Sequence, residues 1–192
     1  AAIKPQVAAI TERAMRGELD FEGALAERVR LLAGLPESTL ARAYAERVRL
    51  NPGARALVRT LNAAGAMTAL VSGGFTYFTE RVAAEAGFRV NRANTLIFEE
   101  GRLTGAVQAP ILGRQAKLDT LMRLCAEGGF APAAALAVGD GANDLDMVAA
   151  AGLGVAWHAK PALAEEADAR IDHAALSALL ALQGYRQAEH AA

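Results

Sequence analysis

Residues 133–144 read Ala133-Ala134-Ala135-Leu136-Ala137-Val138-Gly139-Asp140-Gly141-Ala142-Asn143-Asp144. A short apolar run ends in a glycine-flanked aspartate, and a second aspartate follows four positions later. Positions 133–138 predict a buried strand. Positions 144–151 predict a helix closed by Gly152, 153–157 a second strand, and Pro161 opens the next helix at a favoured first-turn position. The same alternation appears upstream. Asn51-Pro52-Gly53 is a turn cluster, followed by a helix over 55–64 ended by Gly65. A strand over 67–71 then runs into Ser72-Gly73-Gly74, and a helix over 76–86 ends at Gly87. Strands alternating with helices imply βαβ units, a parallel sheet and an α/β fold.

The flanks differ. Residues 1–50 carry helical periodicity only, broken at Gly17 and at Gly34-Leu35-Pro36. Val7, Ile10, Ala14 and Met15 form one apolar stripe; Phe21, Leu25, Val29 and Leu32 form a second; Leu40, Tyr44 and Val48 begin a third. Three short helices without strands predict a small bundle or cap. Residues 96–107 read as a hairpin, Leu96-Ile97-Phe98 and 103–107 around Glu99-Glu100-Gly101-Arg102. No internal repeat or low-complexity linker interrupts the chain.

Composition narrows the function classes. The 192 residues are 53% hydrophobic and 21% charged, enough apolar surface for a folded domain and too much for a disordered polyanion. Lys+Arg (20) nearly cancels Asp+Glu (21), which argues against a basic nucleic-acid binder. No apolar run is long enough to span a membrane. Cys125 is the only cysteine, so there is no disulfide framework and no cysteine-based metal cluster. With no signal-peptide or lipidation pattern at its beginning, the expected location is cytoplasmic.

Ligands of open parallel sheets bind beyond the carboxyl ends of the strands. Two strand ends here carry polar, glycine-rich turns. At the second, Asp140 and Asp144 can converge on one point and would repel unless a cation lies between them. Few hard oxygen ligands suit Mg²⁺. The alternative is a turn aspartate followed by a helix N-cap. At the first, the Ser72 hydroxyl and the Gly73 and Gly74 amides precede a helix, an anion site by geometry and dipole, or an ordinary serine-capped turn. Lys117 is one of only three lysines in an arginine-rich chain. It would neutralise charge at such a site, or sit solvated at a helix start. His158, His173 and His190 share no ligand spacing and are assigned to surface or turns. Cys125 and Trp157 are assigned to packing.

Ser72-Gly73-Gly74-Phe75, Lys117 and Gly139-Asp140-Gly141-Ala142-Asn143-Asp144, in that order, resemble the second, third and fourth motifs of the haloacid-dehalogenase-like phosphatases. The branch that cleaves phosphoserine is the nearest. Residues 14–29 resemble its cap, 99–105 its hairpin, and 159–161 one of its loops. The resemblance implies a Rossmann-like parallel core over 51–192 with a helical cap over 1–50 and a β-hairpin flap. The implied reaction is Mg²⁺-dependent hydrolysis of O-phospho-L-serine through an aspartyl-phosphate, the last step of serine biosynthesis. A related phosphatase for another small phosphorylated metabolite, or a catalytically dead regulatory relative, are the alternatives. The implied partner is that metabolite, with no nucleic acid and no membrane; a homodimer is allowed.

The resemblance also distributes roles. Ser72 and the Gly73 amide would hold phosphate oxygens, and Lys117 would pair with phosphate and nucleophile. Asp140 would ligate Mg²⁺, Asp144 would hold a metal-bound water or Lys117, and Asn143 would bond the phosphate. Arg28 would pair with the substrate carboxylate, while Met15 and Phe21 close over the substrate. Spacing alone does not separate Arg28 from Arg13, Arg16 and Arg30. The family's nucleophile belongs to a D-x-D-x-[ST] motif on the first core strand. Asp144-Leu145-Asp146 is the only D-x-D and follows no strand of its own, so the nucleophile is expected upstream of residue 1. Residues 1–192 alone are expected to be inactive.

Overall fold

The computed structural model describes residues 3–191, apart from the Met15 side chain. The chain divides into two compact units, one holding the residues up to Val48 with Gly73–Phe78 and Ala93–Gly113, the other Arg49–Ser72, Thr79–Arg92 and the residues from Arg114 on.

The first unit begins with α1 (Ile3–Met15), α2 (Phe21–Arg30) and α3 (Glu37–Arg47), the three helices that the periodicity predicts. Asp20 caps α2, its carboxylate accepting the Gly23 amide at 2.7 Å. Leu25, Val29 and Leu40 are buried with Leu96 and Leu103 in one cluster. Phe21 departs from the expected stripe: as the first residue of α2 it is 39% exposed. The hairpin β3 (Leu96–Glu99) and β4 (Arg102–Val107) is antiparallel, with Glu99 facing Arg102. Glu100 and Gly101 both take positive φ (48° and 72°), as a two-residue type I′ turn requires. The hairpin docks on the Gly34-Leu35-Pro36 break. The Gly34 amide donates to the Leu103 carbonyl at 2.8 Å, and the Leu103 amide to Leu35 at 2.9 Å.

The other elements carry the α/β part. They are α4 (Ala54–Ala63), β1 (Ala69–Phe75), α5 (Thr76–Ala86), β2 (Val90–Asn94), α6 (Arg114–Gly128), β5 (Leu136–Gly139), α7 (Leu145–Ala150), β6 (Leu153–Trp157), α8 (Pro161–Ala164), β7 (Ala169–Ile171) and α9 (Ala178–Leu182). Strands β5, β6 and β7 pair in parallel, while β1 pairs with β2 in a separate two-stranded sheet. The parallel α/β reading therefore stands. Strand β6 feeds two cores. Val155 packs with Leu57, Leu179 and Leu180; Ala156, from the opposite face, packs with Ala137, Val148 and Leu163.

The boundaries nearest the glycine-rich turns differ from the sequence reading. The strand expected over 67–71 begins at Ala69 and continues through Ser72-Gly73-Gly74 to Phe75, because pairing with β2 holds those residues extended. The strand expected from Ala133 begins at Leu136, since Pro132 starts a 3₁₀ turn over Pro132–Ala134. A second 3₁₀ turn, Ala142–Asp144, precedes α7, so Asp144 lies just outside the helix.

Candidate active site

The second unit assembles a charged cluster at the carboxyl end of β5. Glycine makes it feasible. A Cβ on Gly139 would lie 2.4 Å from the Asp144 Cβ, so only a glycine lets the Asp144 side chain fold back across the strand tip. Folded back in this way, the Asp144 Oδ2 accepts the main-chain amides of Asp140 (3.2 Å) and Gly141 (3.3 Å). Its Oδ1 accepts the Lys117 ammonium, from α6, at 2.5 Å. The ion pair is nearly closed to solvent, with side chains 7% and 5% exposed. Lys117 is therefore not a solvated helix-start cation, and Asp144 is not an ordinary N-cap.

Asp140 differs from its neighbour. It is exposed, and among the described residues no hydrogen bond or ion pair engages its carboxylate. Its main chain is fixed at both ends. The amide goes to Asp144, and the carbonyl accepts the Lys160 amide from the loop after β6 at 2.9 Å. A rigid backbone thus presents one free carboxylate beside a neutralised one. Mg²⁺ binds through one or two carboxylates and retains several waters, so these donors fit it. Among the described residues no three His, Cys, Asp or Glu side chains gather as a denser metal site would need. Asn143 is half-buried in the same turn.

Outside this cluster a second bridge links α6 to α7. Arg114, three residues before Lys117, donates Nε and Nη2 to the two carboxylate oxygens of Asp146, two residues after Asp144. The guanidinium holds the Asp146 carboxyl below the usual carboxylate range through these bonds, and the carboxylate raises Arg114 in return. Both D-x-D aspartates are thus paired with cations.

Ser72 and Gly73 are consecutive in β1, and Ser72 is half-buried. In the first unit the Phe21 ring lies against two glycines. A Cβ on Gly73 would meet its Cζ at 3.1 Å, and one on Gly113 its Cδ1 at 3.4 Å. The exposure of Phe21 is thus a ring laid over main chain rather than a core side chain. Arg28 is half-buried, and its Nε is shut from solvent with no hydrogen-bond partner. Its neighbours are engaged or solvated. Arg13 pairs with Glu27 at 2.8 Å, Arg16 with Glu12 and Glu18, and Arg30 is exposed. Met15 closes α1, and its side chain lies outside the described residues.

Cys125 is 2% exposed, as core packing predicts. Trp157 is half-buried and donates to the Ala174 carbonyl at 3.1 Å. His158 and His173 are exposed, while His190 is half-buried with its Nε2 enclosed and unpartnered. Sequence reading missed Asn94, which is 2% exposed and hydrogen-bonded to the main chain of Gly73 and Leu112. The only signal was an amide just before the hairpin.

Known proteins resemble this chain in sequence and in fold. The sequence profile of the haloacid dehalogenase-like hydrolases matches residues 3–149. The chain is 47% identical over 189 residues to a phosphoserine phosphatase of Streptomyces coelicolor, covering 98% of this chain and 46% of that one. It is 49% identical over 184 residues to a phosphoserine phosphatase of Albidiferax ferrireducens, covering 93% and 78%. The chain thus spans just under half the length of the first relative. Among solved structures, a phosphoserine phosphatase holding a phospho-aspartyl intermediate analogue superposes with a TM-score of 0.83 at 37% identity, over 93% of this chain and 85% of that one.

Proposed function

The chain belongs to the haloacid dehalogenase-like hydrolases, and on that premise we propose that it is part of a Mg²⁺-dependent phosphatase acting on O-phospho-L-serine. The observation that carries the reading is the buried Lys117–Asp144 pair beside the unengaged Asp140 carboxylate, on one rigid strand tip. A phosphoryl group needs charge neutralisation and fixed positioning more than it needs covalent chemistry from its site.

In this reading the nucleophile is an aspartate of the D-x-D-x-[ST] motif, which no segment of residues 1–192 matches, and it lies upstream of Ala1. The carboxylate attacks phosphorus, the serine hydroxyl leaves, and water then cleaves the aspartyl-phosphate. Lys117 neutralises the transferring group and orients the nucleophile. Ser72, the Gly73 amide and Asn143 hold the phosphoryl oxygens. Asp140 would hold Mg²⁺, and Asp144 would fix Lys117 and a water of the ion. The bound ion supplies further neutralisation of the phosphoryl oxygens. Residues 1–50 act as the cap that selects substrate, and 51–192 as the catalytic core. Arg28 meets the serine carboxylate with its planar fork. Met15 and Phe21 close over the substrate. Residues 1–192 alone are inactive.

The test is phosphate release from O-phospho-L-serine by the full-length protein, with Mg²⁺ and with a chelator, beside a panel of other phosphorylated alcohols and amines. The expected result is Mg²⁺-dependent release fastest with phosphoserine, and a KM raised about tenfold to a hundredfold in Arg28→Ala, the loss of one charge-assisted pair. A preference for another substrate, or an unmoved KM in Arg28→Ala, rejects the serine assignment. No release from any ester rejects the phosphatase.

A further inference from the structure

We propose that Asn94 is a positioning residue that sets the Gly73 main chain for anion binding and, with it, the seat of Phe21. This rests on the reading of Gly73 and Phe21 given above. Asn94 ends β2 and is 2% exposed, yet it carries a polar amide. That amide is spent wholly on main chain. Nδ2 donates to the Gly73 carbonyl at 3.0 Å and to the Leu112 carbonyl at 3.3 Å, while Oδ1 accepts the Leu112 amide at 2.6 Å. One side chain therefore ties the Ser72-Gly73-Gly74 segment to the stretch that leads into Gly113.

Those two backbones are the ones that the Phe21 ring rests against, at Gly73 and at Gly113. Glycine there leaves room for the ring, and it also leaves both torsions free. Holding the Gly73 carbonyl fixes the Gly73–Gly74 peptide plane, and with it the Gly73 ψ torsion, so this main chain is presented in one conformation. An apolar residue at 94 would strand three main-chain groups without partners, the costly case for buried polar atoms. A residue whose every bond goes to these two segments can be changed without touching Lys117, Asp140 or Asp144.

The experiment compares full-length wild type with Asn94→Ser and Asn94→Asp. It reads the Kd for inorganic phosphate and the Kd for Mg²⁺ by calorimetry, with KM and kcat for phosphoserine alongside. Phosphate binding is expected to weaken tenfold or more in both variants, with KM rising in parallel and Mg²⁺ affinity held within twofold. In Asn94→Asp, which lacks the Nδ2 donor, phosphate affinity should recover on acidification, because a protonated carboxyl can donate to Gly73 again; Asn94→Ser should not recover. If Asn94→Asp does not fold, Asn94→Ser, which buries no charge, decides the matter. Unchanged phosphate affinity, or a parallel loss of Mg²⁺ affinity as in general damage, overturns the proposal. A wild type that binds phosphate with this dependence on Asn94 but hydrolyses no ester overturns the functional reading alone, and a wild type that binds no phosphate overturns both.

Discussion

At the scale of single residues, Lys117 and Asp144 pose a question of purpose. Taking two charges out of water is costly, and a buried pair is often no more stabilising than an apolar pair of the same volume. Removing one partner is different, because the other charge is then left enclosed. Asp144→Asn is therefore expected to lower the unfolding free energy by about 3–5 kcal/mol in urea titration. The double variant Lys117→Met with Asp144→Leu should recover most of that stability while remaining without phosphatase activity in the full-length protein. Recovery of activity along with stability would mean that the pair is only structural. The Arg114–Asp146 bridge, lying at the surface, makes a milder and pH-dependent contribution. The folded-state pKa of Asp146 is depressed, chiefly by its hydrogen bonds to Arg114, so its contribution is present above the ordinary carboxylate range and lost as pH falls through the folded value. Asp146→Asn should thus be less stable than wild type at pH 7, with the two melting temperatures converging as pH drops below about 4. A gap that stays constant to pH 2 would sink this account.

At the scale of elements, the turn after β5 works because of a missing atom. The Asp144 side chain occupies the space that a Cβ on Gly139 would need, at 2.4 Å. Gly139→Ala is expected to push Asp144 away from Lys117 and from the Asp140 and Gly141 amides. Displacements near 1 Å at reacting groups cost on the order of a hundredfold, and kcat should fall by about that much while far-ultraviolet circular dichroism stays unchanged. A kcat within threefold of wild type would show that the turn tolerates the methyl group. This turn was legible in the sequence because its glycines and acids are local. So were α1, α2 and α3, whose apolar spacing is self-contained, and the Glu100-Gly101 hairpin, whose turn fixes its register. What escaped depends on distant partners. Val90–Asn94 carries no alternation and is a strand through its pairing with β1. Ala169–Ile171 is three residues long and owes its conformation to β6. Ser72-Gly73-Gly74 has the composition of a turn, and strand pairing together with Asn94 holds it extended. In the site, Asp140, Asp144 and Lys117 were legible as a motif. Arg28 was singled out from four nearby arginines by the resemblance alone; the enclosure of its Nε is a tertiary feature that spacing does not encode.

At the scale of the whole molecule, the residues past the last strand belong to the core of the second unit. The Leu176 amide donates to the Pro52 carbonyl at 2.8 Å, and the Ala191 amide to the Thr60 hydroxyl at 2.7 Å, so this segment returns to the start of the α/β part. Between these two ties lies α9, only five residues long, too short to be stable by its own hydrogen bonds. Its support is packing. Leu179 and Leu180 are fully buried against Leu57 of α4 and Val155 of β6, whereas Leu182, on the same helix, is 48% exposed. The three leucines share one helix and one propensity, so comparing them isolates burial. Leu179→Ala is expected to cost about 2–5 kcal/mol by denaturant titration, the usual range for emptying an enclosed leucine site. Leu182→Ala should stay within about 0.5 kcal/mol of wild type, as surface changes do. Equal losses from the two would mean that α9 acts through helix propensity and not through the closure of the sheet, and that the second unit holds together without its C-terminal segment.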